Sequence, residues 1–220
     1  MDNKNTKNLA DKSVTEWKKL VADYQKPNLG RATWQITNTL GSVLIIWILL
    51  YLTLTISWWL TIGLSLLGGL FLVRAFIIFH DCGHGSFFKS KKANNILGFI
   101  TGMLTFTPYH HWKWEHAMHH ATNGDLDRRG IGDIWTLTVR EYLSSSRMTR
   151  INYRFVRNPF VLFVFAPLFL FLVLERFPSS KAKPREKRSV HIMNFSLLIW
   201  CLTMSAIFGV LPFIVIQVTM

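Results

Sequence analysis

The fold is decided by residues 32–73, which read ATWQITNTLGSVLIIWILLYLTLTISWWLTIGLSLLGGLFLV. This run of 42 residues contains no Asp, Glu, Lys or Arg, and it is apolar on every helical face. Because one helical crossing of a bilayer needs about 20 residues, the run predicts two crossings, over Leu40–Ile56 and Leu60–Phe79. The turn between them is predicted at Ser57–Trp59, where indole rings suit the headgroup zone. The alternative is a pair of buried helices in a water-soluble core.

Two further apolar segments follow towards the end of the chain. Residues 191–220 contain no Asp, Glu, Lys or Arg, and another crossing is predicted at about residues 195–218. Phe160–Leu174 is only 15 residues long and contains Pro167, so it predicts either a short crossing or a segment that dips into the bilayer and returns. We favour the dip, because a full crossing would place the basic stretch Ser180–Arg188 outside the cell.

The predicted fold class is therefore all-α: a polytopic helical membrane protein with a cytoplasmic, histidine-rich helical region. Four regions are predicted in order: a cytoplasmic N-terminal segment, a transmembrane hairpin, a cytoplasmic or interfacial region with the histidines, and further membrane segments joined by a basic loop. Their bounds are residues 1–31, 32–79, 80–158 and 159–220.

The formal net charge of +13 comes from Lys and Arg concentrated outside the apolar runs. Nucleic acid is one partner that such a charge suggests. Loops facing an anionic cytoplasmic leaflet explain it better, so we expect membrane lipids and no nucleic acid as partners. Both regions that flank the hairpin are basic, which places them together on the cytoplasmic side.

Five histidines form two clusters directly after the hairpin. His80 and His84 are four residues apart, so on a helix that continues the second crossing they project from one face. His116, His119 and His120 are spaced i, i+3 and i+4, and the last two diverge enough to reach two separate ions. The sequence thus predicts a metal site near a membrane surface. The alternative is a set of solvated surface histidines.

The residues between the clusters must leave them on one side of the membrane. Residues 93–112 are uncharged for 20 positions, long enough for a crossing, which would separate the two clusters. The segment also contains Pro108, His110 and His111, which a lipid-facing helix tolerates poorly. We therefore predict one interfacial helix here. His110 and His111 are predicted to pack, and Cys82 is predicted to be a packing residue.

Nearby carboxylates are candidates to accept the far N–H of a ligating imidazole. The candidates are Asp81, Asp125, Asp127 and Asp133. The alternative is that these carboxylates balance neighbouring charge such as Arg128 and Arg129. Both readings stay open for Asp125 and Asp127, and charge balance is favoured for Glu115.

Neutral imidazoles suit Fe, Zn, Cu or Ni, so ligand type alone does not identify the metal. Five histidines exceed one tetrahedral zinc ion and indicate more than one metal. An apolar substrate delivered from the bilayer offers only C–H bonds, and their oxidation needs a redox metal with O₂.

Three motifs carry a family resemblance. HDCGHGSFF (residues 80–88) resembles the first histidine box of membrane fatty acid desaturases, and HAMHHAT (residues 116–122) resembles their second. LDRRGIGDIW (residues 126–135) resembles the bacterial and plastid acyl-lipid branch. The resemblance extends from about Arg31 to the end of the chain.

The resemblance implies a helical membrane enzyme with two iron ions at the cytoplasmic face and O₂ as co-substrate. Its substrate would be an acyl-lipid or fatty acyl chain, which loses two hydrogens from adjacent carbons to leave a cis double bond. Its electrons would come from a donor such as ferredoxin. By this resemblance the iron ligands are His80, His84, His116, His119 and His120.

One departure concerns the third histidine box of the family, because no histidine follows His191. We therefore expect an N-terminal portion that by itself binds iron weakly and does not desaturate. The alternatives are a membrane di-iron hydroxylase acting on lipids or alkanes, a zinc-dependent membrane hydrolase or metal transporter, and a non-catalytic truncated membrane protein.

Overall fold

The computed structural model describes residues 22, 26–130 and 132–220, and within these ranges every regular element is helical. The α-helices are α1 (Leu29–Thr53), α2 (Trp58–His84), α3 (Lys91–Leu104), α4 (Tyr109–Thr122), α5 (Val139–Ser144), α6 (Arg147–Val156), α7 (Ala166–Leu172), α8 (Pro184–Phe208) and α9 (Val210–Thr219). A π-helical turn at Val161–Phe165 precedes α7, and a 3-10 turn at Leu174–Arg176 follows it. The all-α prediction is confirmed. Most of the predicted N-terminal segment, residues 1–31, lies outside the described residues.

The apolar run forms a helical hairpin, with boundaries that differ from the sequence prediction. Helix α1 begins at Leu29, eleven residues before the predicted start, because the Asn28 side chain accepts a hydrogen bond from the Arg31 backbone N–H at 3.0 Å. The turn comes at 54–57, so Trp58 already begins α2. Helix α2 continues through the first histidine cluster and ends at His84. Gly85 caps it with a φ of +74°, a conformation that favours glycine.

The prediction of one continuous helix over residues 93–112 is wrong. Two helices replace it, α3 and α4, separated by a tight turn at 105–108. Pro108 disfavours helical backbone in the residue before it, and Phe106 adopts a φ of +55°. The Thr107 N–H donates to the Gly102 carbonyl at 2.7 Å, which closes the turn. The second histidine cluster is therefore carried on a helix with its own direction.

The last apolar segments are also interrupted. The segment predicted at about 195–218 is divided between α8 and α9 at Gly209, which has a φ of +87°. Helix α8 begins at Pro184, inside the predicted basic loop. The segment predicted at 160–174 runs from Val161 to Arg176 and makes an angle of 62° with α6. Such a bend is typical of a broken crossing or of a segment that enters and leaves on one side.

Buried side chains join these helices in two clusters. One packs Ala32 of α1 and Phe79 of α2 against Leu97 of α3 and Tyr109 of α4. This cluster also contains Cys82, where a packing residue was predicted. The second cluster joins α1 and α2 to the end of the chain through residues that include Trp47, Leu50, Phe213 and Ile216. The first cluster fixes α4 against α2, and so sets the geometry of the histidines.

Among the described helices three, α1, α2 and α8, are long and apolar enough to cross a membrane. Their outward surfaces carry large apolar side chains, among them Leu44, Leu66 and Leu202, each more than 60% exposed. A continuous apolar surface of this size suits lipid rather than water. The chain is therefore a membrane protein.

Candidate metal centre

The two histidine clusters meet where α2 ends and α4 packs against it. The Tyr109 hydroxyl, at the start of α4, donates to the Cys82 carbonyl of α2 at 2.7 Å. Gly83 leaves room for the Trp112 ring, because a Cβ there would lie 2.9 Å from it. Trp112 in turn stacks on the His116 ring, with centroids 4.4 Å apart and an interplanar angle of 15°. These contacts hold the second cluster against the first.

Four of the five predicted histidines converge through their Nε2 atoms. The Nε2 of His116 lies 3.0 Å from that of His80, 3.1 Å from that of His84 and 3.0 Å from that of His120. The Nε2 atoms of His80 and His84 are 3.3 Å apart. All four atoms lie within 4.8 Å of one another. Each helix therefore contributes one i, i+4 pair, as the spacing predicts.

These separations fit one metal ion. Nitrogen ligands about 2.0–2.1 Å from an ion lie about 3.0–3.4 Å apart when they are adjacent. Hydrogen bonds alone do not explain the packing, because a neutral imidazole has a single N–H. His80 directs its Nδ1 towards the Asp81 carboxylate at 3.1 Å, so its Nε2 is left as a bare acceptor facing other Nε2 atoms. A shared cation is the group that this donor set accommodates.

The electrostatics favour neutral rings. The pKa of His116 is lowered to about 4, first by burial and then by the neighbouring His80, His120, His84 and His119. His116 is therefore neutral at physiological pH, and neutral imidazole is the form that binds metal ions.

His119 stands apart from the four. Its Nδ1 lies 2.5 Å from the Asp133 carboxylate, and its ring centroid is 6.1 Å from that of His116. The Gly130 N–H donates to the other Asp133 oxygen at 3.0 Å, and this hydrogen bond, followed by that from His119, lowers the pKa of Asp133. Gly132 has a φ of +71° and passes close to the His119 Cβ. The backbone at Gly130 and Gly132 therefore positions Asp133.

The other candidate carboxylates contact different groups. Asp125 accepts a hydrogen bond from the Arg128 guanidinium at 2.6 Å and another from the Asp127 backbone N–H at 3.0 Å. Within the described residues, neither Asp125 nor Asp127 forms a hydrogen bond or an ion pair with a histidine of the cluster. The charge-balance reading therefore suits Asp125, whereas Asp81 and Asp133 contact His80 and His119.

The two other histidines of α4, His110 and His111, connect this helix to later parts of the chain. His111 is buried, and its Nε2 accepts a hydrogen bond from the Ser179 backbone N–H at 3.0 Å. Its Nδ1 lies 3.7 Å from the carboxylate of Glu115, whose pKa is raised by burial. The His110 backbone N–H donates to the Ser189 hydroxyl at 3.1 Å. The His111 side chain therefore packs between elements, as predicted, whereas the half-buried His110 side chain borders a cavity.

Sequence reasoning missed two residues that shape the site, Tyr109 and Trp112. The signal for Trp112 was its position four residues before His116, which places both rings on one helical face. For Tyr109 there was no local signal, because its partner Cys82 is 27 residues away.

Helices of membrane-spanning length and a histidine cluster with a geometry compatible with metal binding define a helical membrane protein with a candidate metal site. The sequence profile described as fatty acid desaturase matches residues 56–220. The chain belongs to the fatty acid desaturase family, whose members are oxidoreductases of lipid metabolism. The resemblance seen in the three motifs is thereby confirmed.

Three individual relatives support the same family assignment. The chain is 43% identical over 199 residues to a fatty acid desaturase of Bacillus subtilis, a match covering 90% of this chain and 56% of that protein. It is 31% identical over 121 residues to the sn-1 oleoyl-lipid 12-desaturase of Synechocystis, covering 55% of this chain and 31% of that protein. It is 41% identical over 71 residues to the sn-1 acyl-lipid omega-3 desaturase (ferredoxin) of Synechocystis, covering 32% and 20%. The chain thus spans about half the length of the Bacillus relative and less of the others. No solved structure matches it.

Proposed function

We propose that this chain carries the membrane and metal-binding part of an acyl-lipid desaturase, an O₂-dependent di-iron enzyme that introduces a cis double bond into an acyl chain. The observation that carries the proposal is the convergence of four Nε2 atoms, from the end of α2 and from α4. They lie at the end of an apolar helical hairpin, where an acyl chain reaches them from the bilayer.

In this proposal His80, His84, His116 and His120 hold one iron ion, and His119 serves a second. The contact of His119 Nδ1 with Asp133 supports its role, because it leaves Nε2 as the nitrogen available to a metal. Asp81 holds His80 in the same way. Bound iron supplies, together with O₂, the oxidising power that unactivated C–H bonds require.

The overall reaction converts –CH₂–CH₂– to –CH=CH–, while O₂ takes up those two hydrogens with two electrons and two protons and becomes two waters. We propose a ferredoxin-type donor for the electrons. Support comes from the Synechocystis relative whose name includes ferredoxin, and from the net charge of +13, which suits an acidic partner. Within the chain, Trp112 stacks on the His116 ring and holds it in place, and Phe79 packs against Trp112.

We further propose several membrane crossings with the histidines on the cytoplasmic side. Helix α6 supports this placement, because Arg147, Arg150 and Arg154 alternate with the exposed apolar side chains of Met148, Ile151 and Phe155. A short amphipathic helix with this pattern lies in the interface of an anionic leaflet. A dip at Val161–Arg176 keeps the basic stretch Ser180–Arg188 on the same side.

The function is tested by the product. The gene that encodes this chain, in its natural reading frame, is expressed in a host without desaturases, and the acyl chains of its membrane lipids are analysed by mass spectrometry. The proposal predicts new cis double bonds that need O₂, that disappear with His116→Ala and that persist with His191→Ala. A new alcohol in place of the double bond identifies a hydroxylase instead, and product formed without O₂ contradicts a desaturase.

The expectation that the 220-residue chain by itself binds iron weakly and leaves acyl chains saturated stays a prediction. Metal analysis of the purified chain tests it. Two tightly bound iron ions with turnover would contradict it, and zinc in place of iron would favour a hydrolase or a transporter.

A further inference from the structure

A cavity of about 620 Å³ opens beside the histidine cluster, with His84 and Gly85 in its wall. Its other walls come from the loop after α2, from α3, from α4 and from the start of α8. Its volume falls within the range of about 300–1,000 Å³ that is usual for small-molecule sites. We call it the cationic cavity, for the side chains described next.

Four cationic side chains line the cavity: Lys89, Lys91, Lys113 and Arg185. Glu186 is the single carboxylate in its lining. Within the part of the chain that the structure describes, none of the four cations forms an ion pair. Side chains that converge with like charge and little compensation repel one another, and an anion between them relieves that repulsion.

Lys113 shows the effect of this convergence. It lies on α4, three residues before His116, and its pKa is lowered, first by burial and then by the charge of Arg185, with a smaller contribution from Lys91. Arg185 lies in the first turn of α8, where the helix dipole adds partial positive charge. The cations therefore come from three places far apart in the sequence, and the fold brings them to one cavity.

We propose that the cationic cavity binds the phosphate of a phospholipid headgroup, so that the site selects phosphate-bearing acyl lipids over neutral ones. This inference rests on the proposed function, because it names the substrate class of the same site. Lys and Arg side chains form charge-assisted hydrogen bonds to phosphate oxygens. A concave cavity suits a headgroup better than the surface of a protein partner. Since His84 lies in its wall, a lipid held there starts its acyl chains beside the histidines.

The test measures lipid binding by the purified chain in neutral detergent, using native mass spectrometry. The probes are dioctanoylphosphatidylglycerol and dioctanoylglycerol, which differ in the phosphate-bearing headgroup, with inorganic phosphate as a competitor. The cavity variant is Lys113→Gln/Arg185→Gln. Its matched control is Lys92→Gln/Arg188→Gln, which removes the same charge from neighbouring exposed positions outside the cavity lining. The variant Lys113→Arg/Arg185→Lys keeps both charges.

We expect the phosphatidylglycerol to bind and the diacylglycerol to bind much more weakly. The cavity variant should weaken phosphatidylglycerol binding by about tenfold, while the control and the charge-keeping variant retain it. Equal binding of the two lipids, or equal loss in the control, overturns the inference. Displacement of the lipid by an equal concentration of inorganic phosphate also overturns it, because the site would then take the free ion. So does a cavity variant that loses affinity for an acidic ferredoxin and keeps lipid.

Iron content after loading with Fe²⁺ is measured on the same preparations, and the product assay is run on the natural reading frame, which together separate this inference from the proposed function. Lipid binding without O₂-dependent double bonds would contradict the proposed function and leave the headgroup site standing. Iron binding with no lipid preference would contradict only the headgroup site.

Discussion

Gly98→Ala tests how the fold positions the histidines. Gly98 lies in the middle of α3, and a Cβ at this position would overlap the ring of Tyr109. The ring cannot move aside freely, because it is 1% exposed and its hydroxyl donates to the Cys82 carbonyl at 2.7 Å. Helix α4, which carries His116 and His120, must therefore shift relative to α2.

Two contributions to the free energy of unfolding oppose each other in Gly98→Ala. Replacing a helical glycine by alanine stabilises a helix by about 0.5–1 kcal/mol, whereas overfilling a packed core costs about 1–3 kcal/mol. Because the added Cβ would overlap a ring that is almost fully buried, we expect a cost in the upper part of that range and a net loss of about 1–2.5 kcal/mol. Because the Nε2 atoms of the two helices are only 3.0–3.1 Å apart, the shift should also weaken metal binding by about tenfold.

The assay combines thermal unfolding in detergent with Co²⁺ titration followed by visible absorbance. Gly41→Ala and Gly63→Ala are matched controls, since a Cβ at either helical position meets nothing within 4 Å. Both should unfold at the same temperature as the parent or slightly higher, with unchanged Co²⁺ affinity. In a Tyr109→Ala background, Gly98→Ala should lose its cost, because the overlapping ring is gone. The reasoning is refuted if Gly98→Ala behaves like the two controls, or if its cost persists without the Tyr109 ring.

Three further predictions follow from particular contacts. Asp133→Asn should lower iron affinity or turnover about 10–100-fold, because His119 loses its anionic partner. The control Asp127→Asn, measured in the same iron analysis, should have little effect. Arg129 and the Thr138 backbone N–H lower the pKa of Glu141 to about 2. The ionised Glu141 carboxylate therefore stabilises the folded chain at pH values above 4.5, its ordinary pKa, and this stabilisation is lost as the pH falls towards 2. Glu141→Gln should therefore lower the unfolding temperature at pH 7 and leave it unchanged at pH 2; an equal effect at both would contradict this. The last test labels single cysteines with an impermeant maleimide in intact cells, in a background without Cys82 and Cys201. A cysteine replacing Trp59 should react, and a cysteine replacing Lys181 should not. Labelling of both would indicate a full crossing at Val161–Arg176.

The hairpin and the two histidine pairs were predictable because their signals are local. A charge-free run of 42 residues specifies two helices whatever surrounds them, and i, i+4 spacing places His80 with His84 on any helix. The helix boundaries were less predictable, since they depend on caps such as Asn28 and Gly85. The break before α4 had a signal in Pro108, which the absence of charge over residues 93–112 obscured.

The arrangement of the site depends on contacts between distant residues. The sequence does not show that Tyr109 meets Cys82, or that Gly98 makes room for Tyr109, and these contacts decide how α4 approaches α2. The division between His119 and the other four histidines likewise depends on the turn around Asp133. The cationic cavity joins Lys89 and Lys113 to Arg185, which is far from both in the chain.

The central claim is that His80, His84, His116 and His120 share one ion. X-ray absorption at the iron edge of the Fe²⁺-loaded chain tests it most directly, because imidazole rings give a characteristic outer-shell signal. We predict about four imidazole nitrogens at about 2.1 Å for the first equivalent of iron, and a signal that is lost with His116→Ala but kept with His191→Ala. A spectrum with one imidazole or none, or one that His116→Ala leaves unchanged, would contradict the account.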